Sequence, residues 1–246
     1  EVVLELYLEK KEAMVDDLNG MFSLAVWDDR EKKLLLARDR MGKKPLYYSA
    51  RNGRLSFSSE LFSLVQDSAV SRGLSEQALF EYLLYDFIPA PHTIFSGVNK
   101  LPAAHIAIFD SGGLRVRRYW TPPPPRESAD YDGSKARLVE LLEDAVRLRL
   151  VSDVPLGAFL SGGIDSTLIT ALMGKNRSDR VKTFSISFPG TSHDESDWSR
   201  LAARSLGTEH IEYTVANETQ KLYTRIVRHL GEPFGDSSAI PTWHLA

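Results

Sequence analysis

The sequence has 246 residues, a formal net charge of −3 and 43% hydrophobic residues, the proportions of a globular chain with one large or two modest domains. Acidic and basic residues are interleaved without a basic stripe, so we expect no nucleic-acid partner. Cysteine is absent and no apolar run reaches bilayer length, which excludes disulfides, thiolate metal sites and a spanning helix. Because the N-terminus lacks signal-peptide features, we expect a cytoplasmic protein without membrane partners.

The first 120 residues are rich in strand and hairpin signals. A helix is predicted from about Ser75, with an apolar face formed by Leu79, Phe80, Leu83 and Leu84. The Asn52-Gly53 pair favours a tight two-residue turn between two strands. Short apolar runs separated by turn residues predict six strands, at residues 21–27, 33–37, 45–48, 55–57, 105–109 and 114–119.

A proline run marks a change of texture. Residues 121–125 read Thr-Pro-Pro-Pro-Pro, which is unsuited to a helix or a central strand and should form a stiff connector. We place a domain boundary there. The predicted division is residues 1–120, a linker at 121–130, and residues 131–246.

Strands and helices alternate in the second part. Strands are predicted at 157–160, 182–188 and 210–215. Helices are predicted from a Ser134 cap, over 167–173 ending at Gly174, and over 198–206 with Gly207 just beyond. This alternation favours a parallel sheet covered by helices, so the fold class is α+β followed by α/β.

One loop in this second part carries the clearest chemistry. Ser161-Gly162-Gly163-Ile164-Asp165-Ser166 follows a predicted strand and opens a helix, which places it at the carboxyl edge of a parallel sheet. Glycines let backbone N–H groups approach an anion, and the helix N-terminus adds positive potential. Asp165 can hold Mg²⁺ or cap the helix. An ordinary capped helix after a Gly-Gly turn is the alternative, but the strand–loop–helix context favours a phosphate site. The Gly-Lys-Ser/Thr ending of a Walker loop is missing.

This loop resembles the one shared by N-type ATP pyrophosphatases, and seven further segments narrow the resemblance to asparagine synthetases of the glutamine-hydrolysing type. Several segments in the right order are far more specific than one loop, and the match spans nearly the whole chain. The segments are 18–28 (LNGMFSLAVWD), 37–48 (ARDRMGKKPLYY), 57–61 (FSSEL), 91–95 (PHTIF), 100–102 (KLP), 152–155 (SDVP) and 231–234 (GEPF).

The resemblance implies a carbon–nitrogen ligase with glutamine as amide donor. Its N-terminal half would be a glutaminase, a sandwich of antiparallel sheets between helices. Its C-terminal half would use ATP and Mg²⁺ to adenylate aspartate, and ammonia would convert β-aspartyl-AMP to asparagine. Carried over by position, the adenosine contacts would be Leu160 and Ile186. The pyrophosphate and metal contacts would be Ser161, Gly162, Gly163, Asp165 and Ser166.

Two departures qualify this expectation. The family's nucleophile is an N-terminal cysteine, and this chain has none. No Met opens the chain, and a helix pattern is only beginning where it stops. We therefore expect an interior piece, with the back of the glutaminase and the front of the synthetase domain, and no glutaminase activity from the piece alone.

Other polar residues have two interpretations each. Arg38, Asp39 and Arg40 could line a passage between the two sites or simply brace a hairpin. Asp194 and Glu195 could hold a second metal, although N-terminal helix carboxylates are the simpler interpretation. His193 and His210 are most simply surface or packing residues. The resemblance places contacts to the aspartate substrate near one further segment, which implies such contacts for Glu232, Asp236, Ser237 and Ser238.

Two alternative functions and the oligomeric state remain open at this point. A relative could adenylate another carboxylate, as a polysaccharide-modifying amidotransferase or a β-lactam-forming synthetase does. A scaffold could bind ATP or a partner without turnover, which the intact loop argues against. The oligomeric state is also open, with a homodimer as one option.

Overall fold

The computed structural model describes residues 1–125, 130–190, 194–214, 219–236 and 238–245, with backbone only at 219–221 and 245. The chain divides into two compact units, residues 1–124 with 223–236 and residues 125–222 with 237–246. The predicted domain limits stay predictions, and four residues of the predicted linker, 126–129, lie outside the described residues. Residues 223–236, expected in the second domain, cluster with the first unit.

The first unit holds two antiparallel sheets, with strand orders β1-β2-β6-β7 and β4-β3-β5. A 3₁₀ helix at Lys11–Asp16 follows α1. The elements are α1 (Val2–Lys10), β1 (Ser23–Asp28), β2 (Lys33–Arg38), β3 (Tyr47–Arg51), β4 (Arg54–Ser58), α2 (Leu61–Leu64), α3 (Glu76–Tyr85), β5 (Asn99–Lys100), β6 (His105–Asp110) and β7 (Gly113–Arg118).

Strand β2 explains how this unit is layered. Its apolar run is continuous because the four-stranded sheet is covered on both faces: Leu35 packs beneath α1 and the 3₁₀ helix, and Leu36 packs with Tyr48 toward β3. Asn52 and Gly53 both have positive φ (52° and 71°), as the predicted tight hairpin turn requires. The antiparallel sheets expected for this part are confirmed.

The first unit differs from expectation at two helices. Helix α1 at Val2–Lys10 was not predicted, because an alternation of apolar residues and Glu over so short a run fits either a strand or a helix period. Helix α3 begins after Ser75 as predicted, but its predicted apolar face is exposed, with Leu83 74% accessible. Ala78 and Tyr82 face the core instead. Apolar residues surround most of this helix, so their spacing could not select the buried side.

The second unit holds a three-stranded parallel sheet in the order β10-β9-β8, which confirms the predicted α/β class. Helix α7 begins in this unit and belongs to the first unit from Tyr223 onwards. The elements are α4 (Tyr131–Arg149), β8 (Gly157–Phe159), α5 (Ile164–Lys175), β9 (Lys182–Ser187), α6 (Ser196–Leu206), β10 (Glu209–Thr214), α7 (Thr219–Leu230) and α8 (Ala239–Leu245).

Two predicted helix boundaries are corrected and one is confirmed. The cap of α4 is Asp130, which accepts from the Gly133 N–H (2.9 Å), rather than Ser134. Helix α5 runs through Gly174 to Lys175, since one glycine costs a helix only about 1 kcal/mol. Helix α6 ends at Gly207 in the left-handed conformation (φ 65°), as predicted.

Apolar packing fixes the first helix pair of this unit. Val146 of α4 packs with Leu172 and Met173 of α5 and with Val181 just before β9. This cluster anchors α5 with its N-terminus at the carboxyl end of β8, where the Ser161–Ser166 loop lies. Among the described residues, no helix combines the length and apolar character needed to cross a bilayer.

Candidate nucleotide-binding site

The Ser161–Ser166 loop leaves the sheet at the carboxyl end of β8 and enters α5. Leu160 continues the parallel pairing beyond β8, because its N–H donates to the Phe184 carbonyl (2.8 Å). Gly163 is the N-cap of α5, and no side-chain cap bond is seen at this end in the described part of the chain. The first N–H groups of a helix have no partner inside the helix, so this edge presents donors to an anion.

Two independent features require glycine at position 162, its backbone conformation and the lack of room for a side chain. Its φ is +84°, a conformation that costs other residues about 1–3 kcal/mol. A Cβ at this position would lie 2.4 Å from the Trp198 carbonyl carbon and 2.6 Å from the Ser199 nitrogen. The loop therefore rests directly on the backbone of the first turn of α6.

The loop is closed by its own hydroxyl groups. The Ser166 hydroxyl donates to the Gly163 carbonyl (3.2 Å), so the Ser161 hydroxyl supplies the proton in the 3.1 Å Ser161–Ser166 contact. Ser161 in turn accepts from the Gly163 N–H (3.3 Å). Ser161, Gly163 and Ser166 thus form a hydrogen-bonded ring that holds the loop in shape before any ligand arrives.

A cavity of about 360 Å³ lies beside this loop, within the range of small-molecule sites. Four predicted site residues line it. Leu160, Ser161 and Ile186 come from the ends of two strands, and Ser238 lies just before α8. Aromatic and apolar walls with few polar groups suit the flat, largely apolar face of a purine. The remaining lining residues, which sequence reasoning missed, are Phe159, Phe184, Ser185, Phe188, Glu195, Ser199 and Pro241.

A signal for several of the missed residues was present in the sequence. Phe184 and Ser185 precede Ile186 on β9, and any strand that ends beside the loop must contribute neighbours to the same edge. Glu195, Ser199 and Pro241 could not be found this way, because only the packing of their helices brings them to the cavity.

The Asp194 carboxylate accepts hydrogen bonds from two backbone N–H groups, one of them at the start of α6. Its carboxylate accepts from the Ser196 N–H (3.1 Å) and the Phe188 N–H (3.4 Å). Burial raises the pKa of Asp194, but these hydrogen bonds outweigh it and hold that pKa below its ordinary value. The simpler interpretation of this carboxylate therefore agrees with its contacts, whereas its neighbour Glu195 lines the cavity.

The residues present suit Mg²⁺ carried by a phosphate ligand rather than a resident metal. No group of three or more metal-binding side chains occurs in the part of the chain that the structure describes. Asp165 lies exposed in the first turn of α5, next to Ser166 in sequence. One carboxylate plus phosphate oxygens is a common way for proteins to hold Mg²⁺. One turn into α5, the buried Thr167 hydroxyl oxygen has no hydrogen-bond partner among the described residues.

The residues predicted to contact aspartate belong to both units. Glu232 lies in the first unit, where its carboxylate pairs with Lys100 and accepts from the Ile94 N–H. Burial raises the pKa of Glu232, and the Lys100 charge opposes this rise. Asp236 is exposed in the same unit, Ser238 lines the nucleotide cavity, and Ser237 lies outside the described residues. Their role toward substrate stays a prediction.

Arg38 and Asp39 brace the loop after β2. The Arg38 guanidinium donates to the carbonyl oxygens of Lys44, Leu101 and Gly42 at 2.7–2.8 Å. Asp39 is buried, and backbone N–H groups that include Lys43 and Lys44 donate to its carboxylate at 3.0 Å. These hydrogen bonds overcome the effect of burial and lower the pKa of Asp39.

The third charge of this group, Arg40, donates to the Asp16 carbonyl (2.9 Å) and stacks over the Trp120 ring at 5.7 Å. A passage-lining role for Arg38, Asp39 and Arg40 remains a prediction.

His210 is half-buried between two hydroxyl groups of β9. Its Nδ1 lies 2.9 Å from Thr183 Oγ1, and its Nε2 lies 3.1 Å from Ser185 Oγ. The packing role predicted for it agrees with these two polar contacts. His193 lies outside the described residues.

Two family models match the chain one after the other. The glutamine amidotransferase domain model matches residues 1–120, and the asparagine synthase model matches residues 137–246. The first range corresponds to the antiparallel sheets and the second contains the loop and cavity.

Individual relatives align along most or all of the chain. A Methanocaldococcus jannaschii relative is 33% identical over 254 residues, covering 100% of this chain and 49% of its own length. The Bacillus subtilis protein named asparagine synthetase (glutamine-hydrolysing) 1 is 32% identical, covering 100% of this chain and 39% of its own length. Escherichia coli asparagine synthetase B (glutamine-hydrolysing) is 31% identical, and the alignment covers 87% of this chain and 36% of the E. coli protein.

The chain therefore spans about half the length of these curated relatives, or less. The order of the two matched domains is the order that the sequence resemblance implied. Both models match in succession and the relatives align with both, so this chain is similar along its length to glutamine-hydrolysing asparagine synthetases.

Proposed function

We propose that the protein is an ATP-dependent amidotransferase that makes asparagine from aspartate with glutamine as nitrogen donor. The observation that carries this proposal is the Ser161–Ser166 loop, held by its own hydrogen bonds at the N-terminus of α5 beside a purine-sized cavity. Its match to the asparagine synthase model supports the choice of reaction.

Each part of the site has a role in this proposal. The cavity lined by Leu160 and Ile186 receives the adenine and ribose. The Leu160 N–H is already bonded to Phe184, so its carbonyl oxygen remains as the backbone group for the ligand. The Ser161–Ser166 loop and the first N–H groups of α5 hold the phosphates that leave as pyrophosphate, where negative charge must be stabilised.

Asp165 would hold Mg²⁺, which supplies positive charge to the phosphates when bound. A carboxylate alone repels ATP, so Asp165 helps binding only through the metal. In this proposal aspartate is activated as β-aspartyl-AMP, with pyrophosphate as the leaving group. Ammonia from glutamine then forms the amide and releases AMP.

The experiment compares Asp165→Asn with Asp132→Asn, whose carboxylate lies in the corresponding first turn of α4. With Mg²⁺, calorimetric titration should show ATP binding to the wild-type chain and about tenfold weaker binding to Asp165→Asn. With EDTA the order should reverse, because removing the carboxylate removes repulsion. Asp132→Asn should match wild type throughout. Loss of binding regardless of Mg²⁺ would contradict the metal role, and no ATP binding by wild type would overturn the proposal.

Isotope exchange between pyrophosphate and ATP identifies the carboxylate. The exchange should require aspartate, and glutamate or succinate should not replace it. Exchange with another carboxylate but not with aspartate would assign the chain to a different acceptor.

A further inference from the structure

A continuous chain of hydrogen-bonding side chains crosses the second unit from β10 to α6. Thr208 Oγ1 lies 2.8 Å from Thr183 Oγ1, which lies 2.9 Å from His210 Nδ1. On the other side of the ring, His210 Nε2 lies 3.1 Å from Ser185 Oγ. The hydroxyl oxygens of Ser185 and Ser199 lie 3.2 Å apart, and the Ser199 hydroxyl donates to the Ser196 carbonyl (2.9 Å). His210 is the only member with two separate polar atoms, so it joins the two halves of this chain.

These hydrogen bonds determine where α6 lies on β9, because the interface between them is polar and buried. The β9 side of the interface is polar and deeply buried, with Thr183 fully inaccessible and Ser185 5% exposed. The side chains of α6 buried near this interface are small: Ser196, Ser199, Ala202 and Ala203. Small side chains leave little apolar area to hold a helix, whereas a buried polar group without a partner is costly. Hydrogen bonds therefore select the position of α6 on this strand.

The position of α6 in turn determines the position of the anion-binding loop. Gly162 lies so close to α6 that a Cβ would meet backbone atoms of Trp198 and Ser199 at 2.4–2.6 Å. Ser199 is the last residue in the series of hydrogen-bonded side chains that passes through His210 and Ser185. A path of direct contacts thus leads from His210 through Ser185 and Ser199 to Gly162.

We propose that His210 is a positioning residue that holds the Ser161–Ser166 loop in its binding shape by fixing α6 on β9. It does not touch the loop and acts only through Ser185 and Ser199. The inference rests on the proposed nucleotide-binding function for its consequence, although the structural coupling can be measured without nucleotide.

The neutral imidazole suits this role, because it offers one donor and one acceptor nitrogen to two hydroxyl groups. Burial lowers the pKa of His210, and the charged groups that act on it are Glu212, which raises that pKa, and Arg200, which lowers it. Arg200 and Glu212 are themselves joined by a two-point ion pair at 2.7–2.8 Å.

The experiment uses His210→Phe, which keeps a ring without polar atoms, and His210→Gln, whose amide again offers one donor and one acceptor. Thr214→Val is the matched control, since it removes a hydroxyl contact between the same two strands (Thr214 to Ser187, 3.0 Å) outside the path to α6. Hydrogen exchange of the 160–166 backbone is measured without nucleotide, followed by the Kd for MgATP.

We expect His210→Phe to speed exchange of the loop amides about tenfold and to weaken MgATP binding about tenfold, as loss of buried hydrogen bonds predicts. His210→Gln should restore both values to within about threefold of wild type. Thr214→Val should leave both unchanged. Ser199→Ala, which cuts the same path at α6 with little change in volume, should reproduce the effect if His210→Phe folds poorly.

The proposal would be overturned if the loop amides exchanged at the wild-type rate in both His210→Phe and Ser199→Ala. Faster exchange spread equally over α4 and the loop would overturn it as well, because that is general destabilisation. If wild type bound no MgATP but the exchange results were as expected, only the proposed function would fail and the positioning role would stand.

Discussion

At the scale of single residues, Gly162 carries the strictest requirement in the candidate site. Its positive φ and its contact with the backbone of Trp198 and Ser199 are independent reasons why no side chain fits. A substitution here must either move the loop away from α6 or change the backbone conformation. Both changes would displace the N–H groups that face an anion.

We expect Gly162→Ala to lower the free energy of unfolding by about 1–3 kcal/mol from backbone conformation alone, with the steric clash adding to this. MgATP binding should be lost. Gly163→Ala is the control, because Gly163 has φ −68° and the nearest side-chain atom to a new Cβ is 3.4 Å away, so its loss should stay below about 1 kcal/mol. Urea unfolding gives both values, and equal losses for the two variants would contradict the argument.

At the scale of elements, the β6–β7 hairpin shows how one carboxylate can close a turn. Asp110 accepts from both guanidinium nitrogens of Arg115 and from the Gly112 N–H (2.8 Å). The Arg115 hydrogen bonds and then that of Gly112 lower the pKa of Asp110 from 3.8 to about 2. The ionised carboxylate is therefore favoured in the folded hairpin.

The sign of the resulting pH dependence follows from that depressed pKa. The stabilisation is fully present above pH 3.8 and is lost as the pH falls through 3.8 toward 2, because the unfolded chain takes up the proton first. In urea unfolding, wild type should be more stable than Asp110→Asn at pH 7, and the gap should close over that acid range. Arg115→Gln should reduce the pH-dependent part of the gap. A gap of constant size from pH 7 to pH 2 would exclude this source of stability.

Elements of the second unit are held in two different ways. Helices α4 and α5 join through an apolar cluster, whereas α6 meets β9 through a hydrogen bond between the buried Ser185 and Ser199. Apolar contacts tolerate small shifts, while hydrogen bonds depend on distance and angle. The helix that supports Gly162 is thus held by the more directional kind of contact.

At the scale of the whole molecule, each unit has its own core. Leu35 and Ile106 are fully buried in the first unit, and Leu160 packs with Ala202 and Ala203 in the second. Every residue of the described nucleotide cavity belongs to the second unit.

Ligand protection should therefore be confined to one unit. At MgATP concentrations about 100 times the Kd, the second unit should gain about 2.7 kcal/mol of stability. Hydrogen exchange followed by mass spectrometry should then slow in peptides covering 157–166 and 182–188, and it should be unchanged in peptides covering β2 and β6. Equal slowing in the β2 and β6 peptides would show that the bound nucleotide stabilises both units.

The sequence by itself determined the positions of most strands, the change from hairpins to strand–helix alternation and the candidate anion loop. These features depend on neighbours in the chain. The Asn52-Gly53 turn and the Gly207 helix end are local backbone requirements, and the loop combines two glycines with a helix start within six residues. The family resemblance followed from short segments of the same kind.

Only the tertiary structure decided which residues meet across the chain. Residue spacing could not choose the buried side of α3, since apolar residues surround that helix. Nor could it place Glu195 and Ser199 at the cavity, or assign Glu232 to the first unit. His210 looked like a packing residue because its partners, Thr183 and Ser185, lie more than twenty residues away in sequence. Parallel pairing of β9 with β10 brings them together, and such pairing is a property of the folded sheet rather than of any local pattern.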